Sequence, residues 1–377
     1  MDISWSRLSS AGQCLRQYEM RYIEGLEKVP SVENEGRIFG SAIHAGFEAA
    51  LRFLFARNYG NQSVDLGSGS AWITEATRAI NFYISTQAVE NKMIYNYDTQ
   101  QKVMDYEYYT MLEEVRQEAS AFIRYYLPRV GIGSKYVPVS VSDVLPNMQE
   151  AHIPVVEWEF RLPFDDHFLV GRIDAVMRDT ENGELVMFDW KSRTAMPKDY
   201  MALLDGQLHL YAAVINEQGG SISRIAMAQM KRGIPKGAEL SKKDNLPLTG
   251  RASYNMTWES FCASLPASVN PEFYREELAG KLKQFTPDFF NPIFGFVTDV
   301  STQLALANVR AQIGQLEFAL KSDVFPARLS SNACQFCEFS RLCAGAFRYG
   351  GDPSEMIERD FQKRDHVEIV EEALDTP

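Results

Sequence analysis

Asp174, Asp189 and Lys191 are the residues of this chain best suited to do chemistry. They fall in GRIDAVMRDTENGELVMFDWKSRT, where two β-rich runs flank a turn signal at Glu181-Asn182-Gly183. In a strand, residues i and i+2 share a face, so Asp189 and Lys191 project together while Trp190 faces the other way. Two carboxylates from adjacent strands bind a hard divalent cation, and an ammonium beside them can orient or deprotonate water near a phosphate. That is the chemistry of phosphodiester hydrolysis. D-x-K alone is a common pattern, and an exposed edge strand would carry the same letters. The surrounding LVMFDWKS is otherwise apolar, however, and a half-buried charged pair is costly there unless paired or bound to metal.

The second constellation is CQFCEFSRLC, which spaces Cys334, Cys337 and Cys343 as C-x2-C-x5-C. Three thiolates in one turn or loop need a fourth to close a site for zinc or a four-iron cluster, and Cys14 is the candidate. Cys262 lies outside the pattern and reads as an idle thiol. An odd count of five cysteines behind an N-terminus without an apolar signal core gives no reason to expect disulfides.

These residues need elements to hold them. Residues 4–26 place Leu15, Tyr18, Tyr22 and Leu26 at helical spacing. A second helix follows Gly40, with Ile43, Phe47, Ala50, Leu51 and Leu54 on one stripe and His44 beside it. The stretch from 59 to 150 turns polar and then helical and Tyr-rich, as an insertion would. Four strands are predicted within 153–232, with DYMALLDGQLHLYAAVINEQGG as a helix crossing between the third and fourth. Residues 233–300 mix a Gly/Pro/Lys loop with short amphipathic pieces, and 298–320 is a longer helix. The expected divisions are 1–58 (N-terminal helices with Cys14 and His44), 59–150 (helical insertion), 151–232 (core), 233–320 (basic loop and helices), 321–350 (cysteine module) and 351–377 (acidic tail).

A formal charge of −12 argues against coating nucleic acid through an overall field. It leaves room for a local groove. KRGIPKGAELSKK, with Lys231, Arg232, Lys236, Lys242 and Lys243 against Glu239, would by itself be a solvated loop. No window approaches the roughly 18 consecutive apolar residues of a membrane span, so a cytoplasmic protein with no membrane partner is expected.

G-x-x-D at Gly171 to Asp174, D-x-K at Asp189 to Lys191 and Q-x-x-x-Y at Gln207 to Tyr211 follow one another in order, with G-S-A-I-H ending at His44 upstream. This series resembles the RecB-like branch of the PD-(D/E)XK nuclease superfamily. Ile173 stands where the superfamily's name has proline, a variation found within that branch. The resemblance implies an α/β fold with a restriction-endonuclease-like mixed β-sheet core flanked by helices, carrying large helical insertions and a C-terminal iron–sulfur module. It implies that His44, Asp174 and Asp189 bind Mg2+ or Mn2+ with help from the Trp190 carbonyl, and that Lys191 positions the attacking water. Gln207 and Tyr211, four apart on one helical face, would support the site or touch DNA. AddB-type and CRISPR-associated relatives pair one N-terminal cysteine with a C-terminal group of three, so Cys14, Cys334, Cys337 and Cys343 would hold a 4Fe-4S cluster. Glu159, Glu48 and His209 are read as ordinary surface or packing residues.

The expected activity is that of a metal-dependent DNA exonuclease acting on single strands or ends in recombination, replication, repair or CRISPR adaptation. Lys231, Arg232, Lys236 and Arg193 are the expected phosphate contacts, with Arg7 and Arg16 weaker candidates. The absence of G-x-x-x-x-G-K-[ST] indicates no ATP motor in this chain. A helicase or recombination partner, and an oligomer, are compatible with it, as is a phage-encoded origin. The alternatives are an idle DNA-binding subunit with the nuclease fold, and a zinc-stabilised RNA-binding protein.

Overall fold

The structure is a computed structural model, and it describes residues 1–28, 35–59, 71–90, 93–96, 101–104, 106–148, 152–193, 195–196, 198, 203–233, 237–251, 256–283, 288–335, 337–349 and 353–363. Lys236 lies outside them. Among the described residues one large sheet contains seven strands: β1 (Asp2–Ser4), β2 (Tyr136–Pro138), β3 (Val156–Phe164), β4 (His167–Asp179), β5 (Leu185–Arg193), β6 (Ile222–Lys231) and β7 (Phe290–Phe296). The 13-residue β4 is the hub. On one edge it pairs in succession with β1, parallel, and β5, antiparallel; on the other it takes β3 and β2, both antiparallel. β6 joins β5 in parallel and β7 closes antiparallel on β6. The four strands expected in 153–232 are β3 to β6, and β1, β2 and β7 come from outside that stretch.

Helices cover both faces. The helices used below are α1 (Trp5–Gln13), α2 (Glu35–Tyr59), α3 (Ala71–Glu90), α4 (Tyr106–Val130), α5 (Gly206–Glu217), α6 (Asp299–Ser322), α7 (Ser331–Gln335) and α8 (Ser340–Tyr349). One core joins Phe39, Ile43 and Phe47 of α2 and residues of α3 and α4 to Val186, Phe188, Trp190, Ala226 and Ala228 of the sheet. The opposite core joins Leu210 and Val214 of α5 and Leu306, Val309 and Ile313 of α6 to Leu185, Met187, Ile225 and Met227. This is the mixed sheet between helical layers that the resemblance implied. α2 is long and apolar enough to cross a membrane by length and composition. Its Phe39, Ile43, Phe47 and Leu51 are instead shut into the first core, as a central helix of a globular fold requires.

Alternation along the strands shows how both faces are filled. In β5, Val186, Phe188 and Trp190 face the α2 core while Leu185 and Met187 face the α5 core. β3 and β4 break this rule together. Val156 and Ala175 face the α2 core, whereas Trp158 and Ile173, two residues along, face the other. The flip falls at Glu157, whose φ is +45°, and at Asp174, which the flanking pairs Val156↔Ala175 and Trp158↔Ile173 set directly across from it. A non-glycine residue in the left-handed region costs of order 1–3 kcal/mol.

Candidate active site and cysteine cavity

The β4–β5 ladder ends at Ala175↔Phe188, one step before Asp174 and Asp189 would face each other. There the strands part, and the Trp190 N–H donates instead to Asp174 Oδ2 at 2.7 Å. β5 runs on beside β6 as far as Arg193↔Lys231, so Asp189 and Lys191 stay fixed on a paired strand. The alternation expected from D-x-K holds. Lys191 Nζ donates to Asp189 Oδ1 at 2.9 Å, while Trp190 turns to the other face and stacks on Phe47 of α2, centroids 4.2 Å apart.

That stack also brings in His44, which lies three residues before Phe47 on the same helix. His44 Nδ1 is 2.6 Å from Glu157 Oε1 and 3.8 Å from Asp174 Oδ1. Glu157 Oε2 in turn accepts from Arg172 Nε at 3.0 Å. Candidate ligand atoms of His44, Glu157 and Asp174 all lie within 4.8 Å of one another. Glu159, two residues on from Glu157, points to solvent across from Arg172. The sequence held one signal for Glu157: counting back from the Asp165-Asp166 turn, where Phe164 pairs with His167, sets it opposite Asp174.

Burial dominates the electrostatics. It is the largest influence pushing the Asp174 carboxyl up to about 7, with the charge of Asp189 next, against the lowering influence of His44 and the Trp190 N–H. Asp189 is also raised, by burial, although Lys191 opposes the shift. Burial works against the Lys191 ammonium, but Asp189, Asp174 and Asp205 outweigh it and hold its pKa above the ordinary lysine value. Burial likewise works against a charged His44, yet Glu157 and Asp174 raise it. So much negative charge in so dry a place calls for a cation. Asp189 Oδ2 is buried with no hydrogen-bond partner among the described residues, as is the amide of Gln229, which sits beside Lys191 in the β5–β6 register. An imidazole and hard carboxylate oxygens, one of them orphaned, fit a divalent ion.

Gln207 and Tyr211 lie behind this centre, at the start of α5. Asp205 caps the helix by accepting the Gln207 N–H at 2.9 Å. The Tyr211 ring packs edge-on against Phe160 at 4.9 Å, and burial together with the charges of Asp189 and Asp174 pushes its hydroxyl above the ordinary tyrosine range. Its hydroxyl also explains Gly171: a Cβ there would lie 2.4 Å from Tyr211 Oη. His209 bonds the Leu203 carbonyl at 3.1 Å, and Glu48 pairs with Arg52 at 2.8 Å.

A cavity of about 600 Å³ opens beside His44, lined by Arg37, Ser41, Tyr83, Glu157, Arg172 and Lys191 among others. Arg37 and Arg172 are exposed there, and neither is among the phosphate contacts expected from the sequence. Of the expected contacts, Arg232 is held in ion pairs with Glu35 and, at 3.6 Å, Glu118, with its guanidinium over Phe39. The Lys231 ammonium lies 5.5 Å from the Phe289 ring centre. Arg193 is exposed, and its carbonyl accepts the Arg232 N–H at 2.7 Å. Arg7 donates to the Asp2 carbonyl at 3.2 Å, and Arg16 pairs with Glu19 and Glu24.

The four cysteines line one cavity of about 470 Å³ at the opposite end of α1 from the sheet. Cys14 sits at the break after α1, its extended backbone (φ −167°) turning the chain, and its Sγ accepts the Arg328 N–H at 3.3 Å. Cys334 lies on α7, Cys337 in the turn after it and Cys343 on α8. Burial and the neighbouring thiols push Cys337 and Cys343 up, which a bound cation would reverse. Cys262 is elsewhere, packed beside Phe261 and Leu278.

No curated protein matches the chain. The family model of the PD-(D/E)XK nuclease superfamily matches residues 2–344, a span that runs from β1 through the sheet and both helical layers to the last cavity cysteine. Since that match takes in nearly the whole sequence, the chain belongs to the PD-(D/E)XK nuclease superfamily.

Proposed function

We propose that this chain is a metal-dependent DNA nuclease of the RecB-like branch, acting on single strands or on ends. The observation that carries the reading is the meeting of Asp174, Asp189, Lys191 and His44, drawn from two strands and a helix, beside a cavity that His44 and Lys191 line. His44, Asp174 and Asp189 would hold Mg2+ or Mn2+, with the Trp190 carbonyl, and such an ion supplies positive charge for the scissile phosphate and its attacking water. Lys191, kept as an ammonium by Asp189, orients that water and faces the phosphate's negative charge. Arg37 and Arg172 steady the phosphates of the strand along the cavity, and the half-buried Tyr83 offers a ring against which a base can stack.

The test uses end-labelled single- and double-stranded DNA with Mn2+. Asp189→Ala and Lys191→Ala should each lower cleavage about a hundredfold or more. Equal products from the native chain and both variants would point to a contaminating nuclease. Resistance of covalently closed single-stranded circles would identify end-dependent digestion.

The cysteine cavity belongs to the same proposal. Cys14, Cys334, Cys337 and Cys343 would ligate a 4Fe-4S cluster whose work is to fasten α1 to the C-terminal helices. Protein purified without oxygen should be brown, with about four iron atoms per chain; colourless protein containing zinc would replace the cluster with a structural zinc site. A partner helicase and a role in recombination, repair or CRISPR adaptation remain the reading's wider context.

A further inference from the structure

We infer that Glu157 is a positioning residue of the active centre: it holds the His44 ring at Nδ1 and so fixes the tautomer that leaves the Nε2 lone pair free for a cation, and it moors Arg172 at the cavity. The inference rests on the metal-dependent reading above. Its basis is the use to which each Glu157 oxygen is put. Oε1 faces His44 Nδ1 at 2.6 Å and Oε2 faces Arg172 Nε at 3.0 Å. An ionised carboxylate can only accept, so the proton of a neutral His44 must reside on Nδ1 and the lone pair on Nε2. A ligating imidazole needs that lone pair, and a carboxylate on its far nitrogen fixes ring orientation and raises its basicity.

The backbone points the same way. Glu157 carries the left-handed φ of +45° at which β3 changes face, directly across from the flip at Asp174. Strand alternation without the flip would send this side chain elsewhere, so the strain is spent on aiming one carboxylate. Its side chain is only 8% exposed, while Arg172, its other partner, is 58% exposed and lines the cavity. One acidic group thus joins the metal side of the centre to the side where a phosphate chain would lie.

Mn2+ binding by isothermal titration, in the native chain and in three variants, tests this. Glu157→Asn suits the left-handed backbone and is too short to reach His44; it should weaken Mn2+ binding about ten- to a hundredfold. Glu157→Gln keeps the reach and an accepting oxygen, and should recover most of that loss. Added to His44→Asn, the Glu157→Asn change should cost nothing further, because it acts through the imidazole. In metal-free protein held at a pH high enough to make His44 neutral, since its pKa is raised, 15N NMR should place the His44 proton on Nδ1, with a mixture of tautomers in Glu157→Asn. Unaltered Mn2+ binding in Glu157→Asn overturns the inference. So does a Gln variant as poor as Asn, or losses that add in the double variant, either of which would make Glu157 a direct ligand. A native chain that neither binds Mn2+ nor cleaves DNA removes the nuclease reading, while the tautomer measurement still decides what Glu157 does to His44.

Discussion

Asp174 gives the centre its dependence on pH. Its pKa in the folded chain is about 7, against an ordinary 3.8. From about pH 4 to 7 the folded form therefore holds more protons than the unfolded one, and stability without metal falls as pH rises through that window. His44 adds in the same direction, since a raised histidine pKa stabilises below the unfolded value and loses that contribution as pH climbs through the folded one. A divalent cation competes with those protons. Mn2+ should leave Tm nearly unchanged at pH 5 and raise it clearly at pH 8. Thermal melts across that range check this, and an equal Mn2+ increment at both ends would count against a carboxylate-bound ion.

At the scale of elements, two contacts hold the centre in place from opposite faces of the sheet. Phe47, 1% exposed, locks α2 and its histidine onto Trp190; on the other face Tyr211 reaches the backbone of β4 where only glycine leaves room. Phe47→Ala should destabilise the fold by about 3–5 kcal/mol, read from the midpoint of denaturant unfolding. Gly171→Ala should drive the Tyr211 ring out of its place against Phe160, seen as a change in near-ultraviolet circular dichroism, with loss of Mn2+ binding following from the displaced β4. A variant with the native spectrum and native Mn2+ affinity would show that the close approach does not matter.

These elements also divide what the residues announce from what they conceal. D-x-K on β5, the apolar stripe of α2 and the start of α5 follow from local periodicity, which survives whatever packs around it. Glu157 was passed over in favour of solvent-facing neighbours because a positive φ reverses alternation without leaving a trace in composition. The ion pairs that occupy Arg232 come from Glu35 and Glu118, each more than a hundred residues upstream, so its basic loop read as free cations. β1 went unpredicted: the expected helix starts at Ser4, and a three-residue strand that ends on that cap is legible only once β4 is there to receive it.

For the whole molecule, the first and last described segments are neighbours. Leu26–Lys28 pairs antiparallel with Phe361–Lys363, and Met20 and Leu26 share a small core with Phe339, Leu342 and Phe361. Arg21 adds an ion pair to Glu338. The cysteine cavity sits within this junction, so with the proposed cluster bound there Cys14→Ser should abolish the brown colour and speed hydrogen exchange in residues 331–349, while β4 to β6 keep their protection. Unchanged colour and exchange would remove Cys14 from the proposed cluster.

β1 imposes an order on synthesis. Among the described residues its sheet partner is Phe168–Val170 of β4, and Cys14 has all three of its fellow thiols only once Cys343 is made. At ribosomal speeds those waits are roughly fifteen seconds and half a minute. The segment carrying β1 and Cys14 is thus made well before the partners on which it docks, and an oxidant or a chaperone meeting it meanwhile would find its lone thiol and its tyrosines uncovered.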